Sequence, residues 1–144
     1  MRGDTAYDPP LDQREGYKTW ASDKLRFADT DMLGHVNNAA FATFCETGRV
    51  MFLYDPERPI KPPGTDFVIV KLVLEFRREL HYPGIVEIGT RVLRVGGSSF
   101  TMGQGLFKDG ECAAVAESTC VLIDTATRRP VRLNDELREK LGAM

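Results

Sequence analysis

The chain has little with which to build a covalent or metal-held scaffold. Of its 144 residues only three are cysteines, Cys45, Cys112 and Cys120, an odd number without the close pairing of a zinc ligand set. They read as free thiols in a reducing compartment. Histidine occurs twice and tryptophan once. No run approaches the ~20 apolar residues that a membrane-spanning helix needs. The first residues include Arg2, Asp4 and Asp8 and lack the apolar core of a secretory signal. A cytoplasmic protein with no membrane contact is expected. Net charge is nearly absent too, with 19 basic against 21 acidic residues, so no global field draws the chain to nucleic acid. An anionic ligand would need local groups such as Arg77, Arg78, Arg91, Arg94, Arg128 or Arg129.

What is present suits one globular domain. Hydrophobic residues make up 42% and charged residues 28%, ordinary values for a chain of this length with one moderate core. Residues 1–18 are polar, contain Pro9-Pro10, and read as a flexible N-terminal arm, leaving 19–144 as the domain. Leu25 and Phe27 alternate with Lys24 and Arg26, which predicts a strand over 20–28. A polar loop follows over 29–37. Phe41, Phe44, Cys45, Gly48, Met51 and Phe52 then form an apolar stripe at helical spacing, predicting a helix over 38–54. Gly48 costs that helix ~1 kcal/mol, which suggests close approach to a sheet.

From Thr65 the period becomes two. Val68, Val70, Leu72, Leu74 and Phe76 are expected to share one strand face, and Val86, Ile88, Thr90 and Val92 another. Gly96-Gly97 and Asp109-Gly110 mark hairpins whose central residues need positive φ. Strands over 98–108 and 111–124 complete an antiparallel meander, and Asn134 caps a short helix carrying Leu137 and Leu141. This order predicts an α+β fold with a five-stranded antiparallel sheet wrapped on one long helix.

The densest chemistry lies in the run from Arg26 to Phe41. Asp31 can act as a general base on water or as a nucleophile on a polarised carbonyl. Asn37-Asn38 opens the helix, where free backbone N–H groups and the positive end of the dipole can stabilise charge developing on a carbonyl oxygen. Gly34 permits a sharp turn or close approach to a ligand. Asx residues are also ordinary loop and helix caps, so residue chemistry alone leaves both roles open.

The stretch from Arg26 to Arg49 resembles the D-x-D-x-x-G-H-V-N-N segment of hotdog-fold acyl-CoA thioesterases, the 4-hydroxybenzoyl-CoA thioesterase family, with Phe41 where an aromatic follows and Glu46-x-x-Arg49 on the helix. The resemblance continues through Glu75–Leu80, Gly84–Arg94, the Gly96-Gly97-Ser98-Ser99-Phe100-Thr101 run, Asp109-Gly110 and Ala114-Val115-Ala116. It implies a hotdog fold that hydrolyses an acyl- or aryl-CoA thioester, with Asp31 as the catalytic carboxylate and the Asn38 backbone N–H polarising the carbonyl. Gly34, Phe41, Ser98 and Ser99 become candidate substrate contacts. His35 and Glu46 become auxiliary groups. Dimers or dimers of dimers with sites at the interface are implied, and neither a metal nor an organic cofactor. The alternative on the same fold is a non-catalytic module binding acyl-CoA or acyl-carrier protein. Cys45 beside His35 also suggests a thiol nucleophile, but its place on the apolar stripe favours packing.

Overall fold

A computed structural model describes residues 7–144. The regular elements are β1 (Thr19–Lys24), α1 (Asn38–Leu53), β2 (Thr65–Phe76), β3 (Ile85–Val95), β4 (Ser99–Lys108), β5 (Glu111–Asp124) and α2 (Asp135–Gly142). The strands form one antiparallel sheet in the order β1-β3-β4-β5-β2. This is the α+β arrangement that the change of period predicts.

α1 lies on the inner face of the sheet. Phe41, Phe44 and Cys45 pack against Val86, Ile88, Leu106, Ala114 and Ala116. Beyond the helix midpoint Phe52 and Leu53 join Phe67, Phe100, Met102 and Leu122, and α2 closes that end with Leu137 and Leu141. Burial of each large apolar side chain contributes ~1.5–3 kcal/mol. The turn at Gly48 lies so close to the sheet that a Cβ there would stand 2.7 Å from Gln104 Nε2 and 3.1 Å from Thr90 Oγ1. The fully buried Gln104 uses that approach, donating to Cys45 O and Thr90 Oγ1, both at 3.0 Å.

Several local expectations need correction. The first strand stops at Lys24 rather than reaching residue 28. Asp29 accepts the Arg26 backbone N–H at 2.9 Å and its guanidinium at 2.8 Å, and this local pairing closes a 3-10 turn over Phe27–Asp29. On β2 the predicted face is broken. Ile69 pairs with Cys120 and Lys71 with Thr119, so Val70 is an extra residue in a bulge. One extra residue reverses side-chain parity: Phe67 faces the core before the bulge, and Leu74 and Phe76 face it afterwards. On α1 Met51 is exposed, while Arg49 and Leu53 are buried where the stripe runs on past Gly48. Asp109 and Gly110 have the positive φ values expected, 53° and 82°, but Gly96 and Gly97 do not. That turn is held instead by Gly96 N–H donating to Ser99 O and Leu133 N–H donating to Gly97 O.

The polar N-terminal arm also reads differently in three dimensions. Residues 1–6 lie outside the described residues. From Tyr7 onward the chain crosses the outer face of the sheet, with Leu11 and Tyr17 buried and Tyr17 donating its hydroxyl to Leu11 O at 2.6 Å. Gly103 and Gly105 leave the trough that Leu11 fills. Tyr17, Trp20 and Phe107 meet edge to face beside it, under the Arg14 guanidinium. A single leucine in a polar run gives no periodic signal, so its burial escapes a pattern reading.

Candidate active site

The loop between β1 and α1 is built by its own polar groups. Asp29 is buried, and the Arg26 hydrogen bond holds its carboxyl below the usual carboxylate range against the opposing cost of burial. Its carbonyl accepts the Asn37 N–H at 2.7 Å, which ties the loop's exit to its entrance. Between them Thr30 and Val36 form a single bridge, and Asp31 N–H donates to His35 O at 2.8 Å. Leu33 and His35 donate their backbone N–H groups to Asp31 Oδ1 at 2.9 and 3.1 Å. Gly34 turns the tip with φ +81° and has open space around it. The positive φ is the sharp turn that glycine permits.

Asp31 is therefore a loop cap through one oxygen, while Oδ2 bonds no group among the described residues. Asn37 caps α1, its side chain accepting the Ala39 N–H at 3.0 Å. The Asn38 N–H, first in the helix, donates to nothing among the described residues. Asp31, His35, Asn38 and Phe41 line one cleft of about 280 Å³ together with Phe76 and Glu79. Phe41 is buried and meets Phe76 edge to face at 5.0 Å, giving the cleft an apolar wall.

The His35 imidazole pairs with Glu79, its Nε2 lying 3.2 Å from Glu79 Oε2. Glu46 lines a separate groove with Arg49 and residues 69–72 of β2. Ser98 and Ser99 lie at the far end of β4 from Lys108, whose Nζ donates to His81 O near the cleft. Nine residue steps of strand separate the two ends by ~30 Å within one chain. Cys45 is buried, and burial pushes its thiol up to about 12, so it has no thiolate to offer at neutral pH. The residues missed by sequence reasoning are Glu79 and Phe76, which reach the cleft from the end of β2. Their signal was the run of charges that breaks the strand's apolar alternation at residues 77–79. Arg77 and Arg78 also line the cleft; Arg77 pairs with Glu75 and Asp12, and Arg78 with Glu111.

An antiparallel sheet wrapped on one long helix, with this loop at the helix N-terminus, is the hotdog arrangement. Residues 25–141 match the model of the thioesterase-like superfamily, and the chain belongs to that family. It is 30% identical over 125 residues to the long-chain acyl-CoA thioesterase FadM of Escherichia coli (strain K12), covering 84% of this chain and 95% of that enzyme. Among solved structures it is similar to a thioesterase from Thermus thermophilus complexed with coenzyme A and Zn, with 30% identity, a TM-score of 0.78, and coverage of 90% and 95% of the two chains. The probable thioesterase YbaW from Escherichia coli superposes with a TM-score of 0.75 at 27% identity, over 88% of this chain and 98% of that one.

Proposed function

We propose that the protein hydrolyses acyl-CoA thioesters to a free acid and CoA, with Asp31 as nucleophile or general base and the Asn38 N–H as the oxyanion donor. The observation that carries this is the shared cleft: a residue whose carboxylate has one uncommitted oxygen and the residue with the uncommitted helix N-terminal N–H both line it. In the water route Asp31 takes a proton as water oxygen bonds the carbonyl carbon. The charge on the carbonyl oxygen is held at the helix end, the C–S bond then breaks, and the CoA sulfur leaves with the proton. In the nucleophilic route Asp31 bonds the same carbon, expels the CoA thiolate and leaves an anhydride for water to open. Similarity to a long-chain acyl-CoA thioesterase and to a coenzyme A complex supports the substrate class.

Asp31→Asn keeps an oxygen for the Leu33 and His35 N–H groups but removes the charge. Turnover should fall by at least ~10² in a folded variant, measured by thiol release over short, long and aryl acyl-CoAs. Wild-type activity in that variant would remove Asp31 from the chemistry. Asn38→Pro deletes the donor at a position where proline suits a helix, and should lose more activity than Asn38→Ala, by up to ~10²–10³. Acyl-CoA binding without turnover of any ester would mark a binding module instead.

The assembly proposed is a homodimer or dimer of dimers. β2 is an edge strand exposing Ile69, Val70, Leu72 and Phe76, beside exposed Val50, Met51 and Tyr54. The groove between α1 and this edge contains Arg49, whose buried Nη1 has no hydrogen-bond partner among the described residues. A twofold copy would cover the apolar strip and the strand edge together. Sedimentation equilibrium should show no stable monomer at micromolar concentration. No helix among the described residues is long and apolar enough to cross a membrane. A cytoplasmic location is proposed from the odd set of three cysteines without ligand spacing.

A further inference from the structure

His35, Glu79 and His81 come from two loops far apart in sequence, yet their ligand atoms all lie within 4.8 Å of one another. The backbone enforces this convergence. Val36 and Leu80 are both buried in the core beneath α1, and Val36 N–H donates to Leu80 O at 2.8 Å. His35 precedes one anchored residue, while Glu79 and His81 flank the other, so all three are held on the outside of the same joint. Lys108 Nζ fixes the far side by donating to His81 O at 3.0 Å.

From this geometry we propose a divalent transition-metal site, with zinc as the best match, formed by His35, Glu79 and His81 on the rim of the cleft. Glu79 Oε2 lies 3.2 Å from His35 Nε2 and 3.5 Å from His81 Nε2. A tetrahedral zinc with ligand bonds of 2.0–2.2 Å spaces its ligand atoms about 3.3–3.6 Å apart. The two imidazoles meet edge to face rather than stacked, with centroids 5.1 Å apart, and both direct Nε2 toward the one carboxylate. The neighbouring arginines do not compete, since Arg78 pairs with Glu111 and Arg77 with Glu75 and Asp12. Two nitrogens and one oxygen form a ligand set that suits zinc over magnesium or calcium. Three protein ligands leave at least one position for water or an incoming donor group.

The test uses the full chain, stripped of metal by chelation and dialysed. Zn²⁺ titrated against a competing chromophoric chelator should bind at one equivalent per chain, and Co²⁺ at the same site should show the intense visible absorption of a tetrahedral complex. His81→Ala and Glu79→Gln should each weaken binding at least ~10-fold. Both side chains are exposed, and an unchanged melting temperature without metal will confirm folding. Zn²⁺ should raise the Tm of the wild type more than that of His81→Ala at the same concentration. Cys112, a half-buried thiol outside the cluster, supplies the control, and Cys112→Ser should bind as the wild type does. Failure of the wild type to bind one equivalent, binding of wild-type strength in His81→Ala, or loss of binding in Cys112→Ser would each overturn the assignment. These readouts need no substrate, so they stand or fall separately from the thioesterase reading.

Discussion

Gly48→Ala puts two general rules in direct opposition. In an exposed helix the change stabilises by ~1 kcal/mol, because alanine is the better helix former. Here the new methyl would fall inside van der Waals contact of Ile88 Cγ2 and stand 2.7 Å from Gln104 Nε2. Overpacking of this kind costs ~1–3 kcal/mol. Gln104 can yield only by giving up its bonds to Cys45 O and Thr90 Oγ1, and a buried donor left unpaired costs ~1–3 kcal/mol. The net expectation is destabilisation of ~2 kcal/mol, or a fall in Tm of ~4–8 °C for a chain of this size. Thermal and urea unfolding should be compared at one protomer concentration, because association would shift both. In a Gln104→Ala background the same substitution should cost ~1 kcal/mol less, since one of the displaced groups is gone. A Gly48→Ala protein as stable as the wild type, or more stable, would refute the close approach of α1 to β3 and β4.

Three further outcomes follow from other parts of the molecule. Leu11→Ala should destabilise by ~2–4 kcal/mol in urea titrations, the cost of emptying a fully buried leucine site, whereas a loose arm would show almost none. Native protein treated with a disulfide reagent at mildly alkaline pH should release at most one fast equivalent, from Cys112. Burial raises Cys45 to about 12 and Cys120 to about 11, so those two should react only after unfolding. Asp29 has a lowered folded pKa, so its contribution is full above the unfolded value of ~3.9 and disappears as pH falls through the folded value. The stability gap between wild type and Asp29→Asn, measured by urea unfolding, should be constant near pH 6 and narrow below about pH 4.

The features legible in the sequence were those with a repeating physical cause. Buried Phe41, Phe44, Cys45 and Phe52 recur at the helix period, and Val86, Ile88 and Thr90 at the strand period, so both elements could be placed from spacing. Asp109-Gly110 showed its turn because positive φ demands such residues. The bulge at Val70 was hidden because every residue around it suits a strand, and only pairing with Cys120 and Thr119 shows which one is extra. Arg49 was hidden because burial of a guanidinium depends on the groove around it. In the cleft, Asp31, His35, Asn38 and Phe41 were accessible because one loop and one helix end carry them all. Glu79 was not, and neither was His81 beside it on the rim, because a backbone bond between Val36 and Leu80 brings their loop to the cleft.

The loop between β1 and α1 accommodates two different aspartates within one short motif. In an extended strand Asp29 and Asp31 would point to the same face, being two residues apart. The 3-10 turn over Phe27–Asp29 breaks the alternation, and the bridge from Thr30 to Val36 restores extended pairing one residue later. Asp29 is thereby buried against Arg26, where its charge is spent on holding the loop closed. Asp31 emerges exposed, with one oxygen satisfied by backbone N–H groups and the other uncommitted. A base or nucleophile needs such a division, since a carboxylate with every lone pair engaged is a poor acceptor and a wholly unrestrained one is poorly aimed. The proposed mechanism thus rests on a change of backbone parity within three residues, and Arg26 and Asp29 contribute to it without touching the cleft.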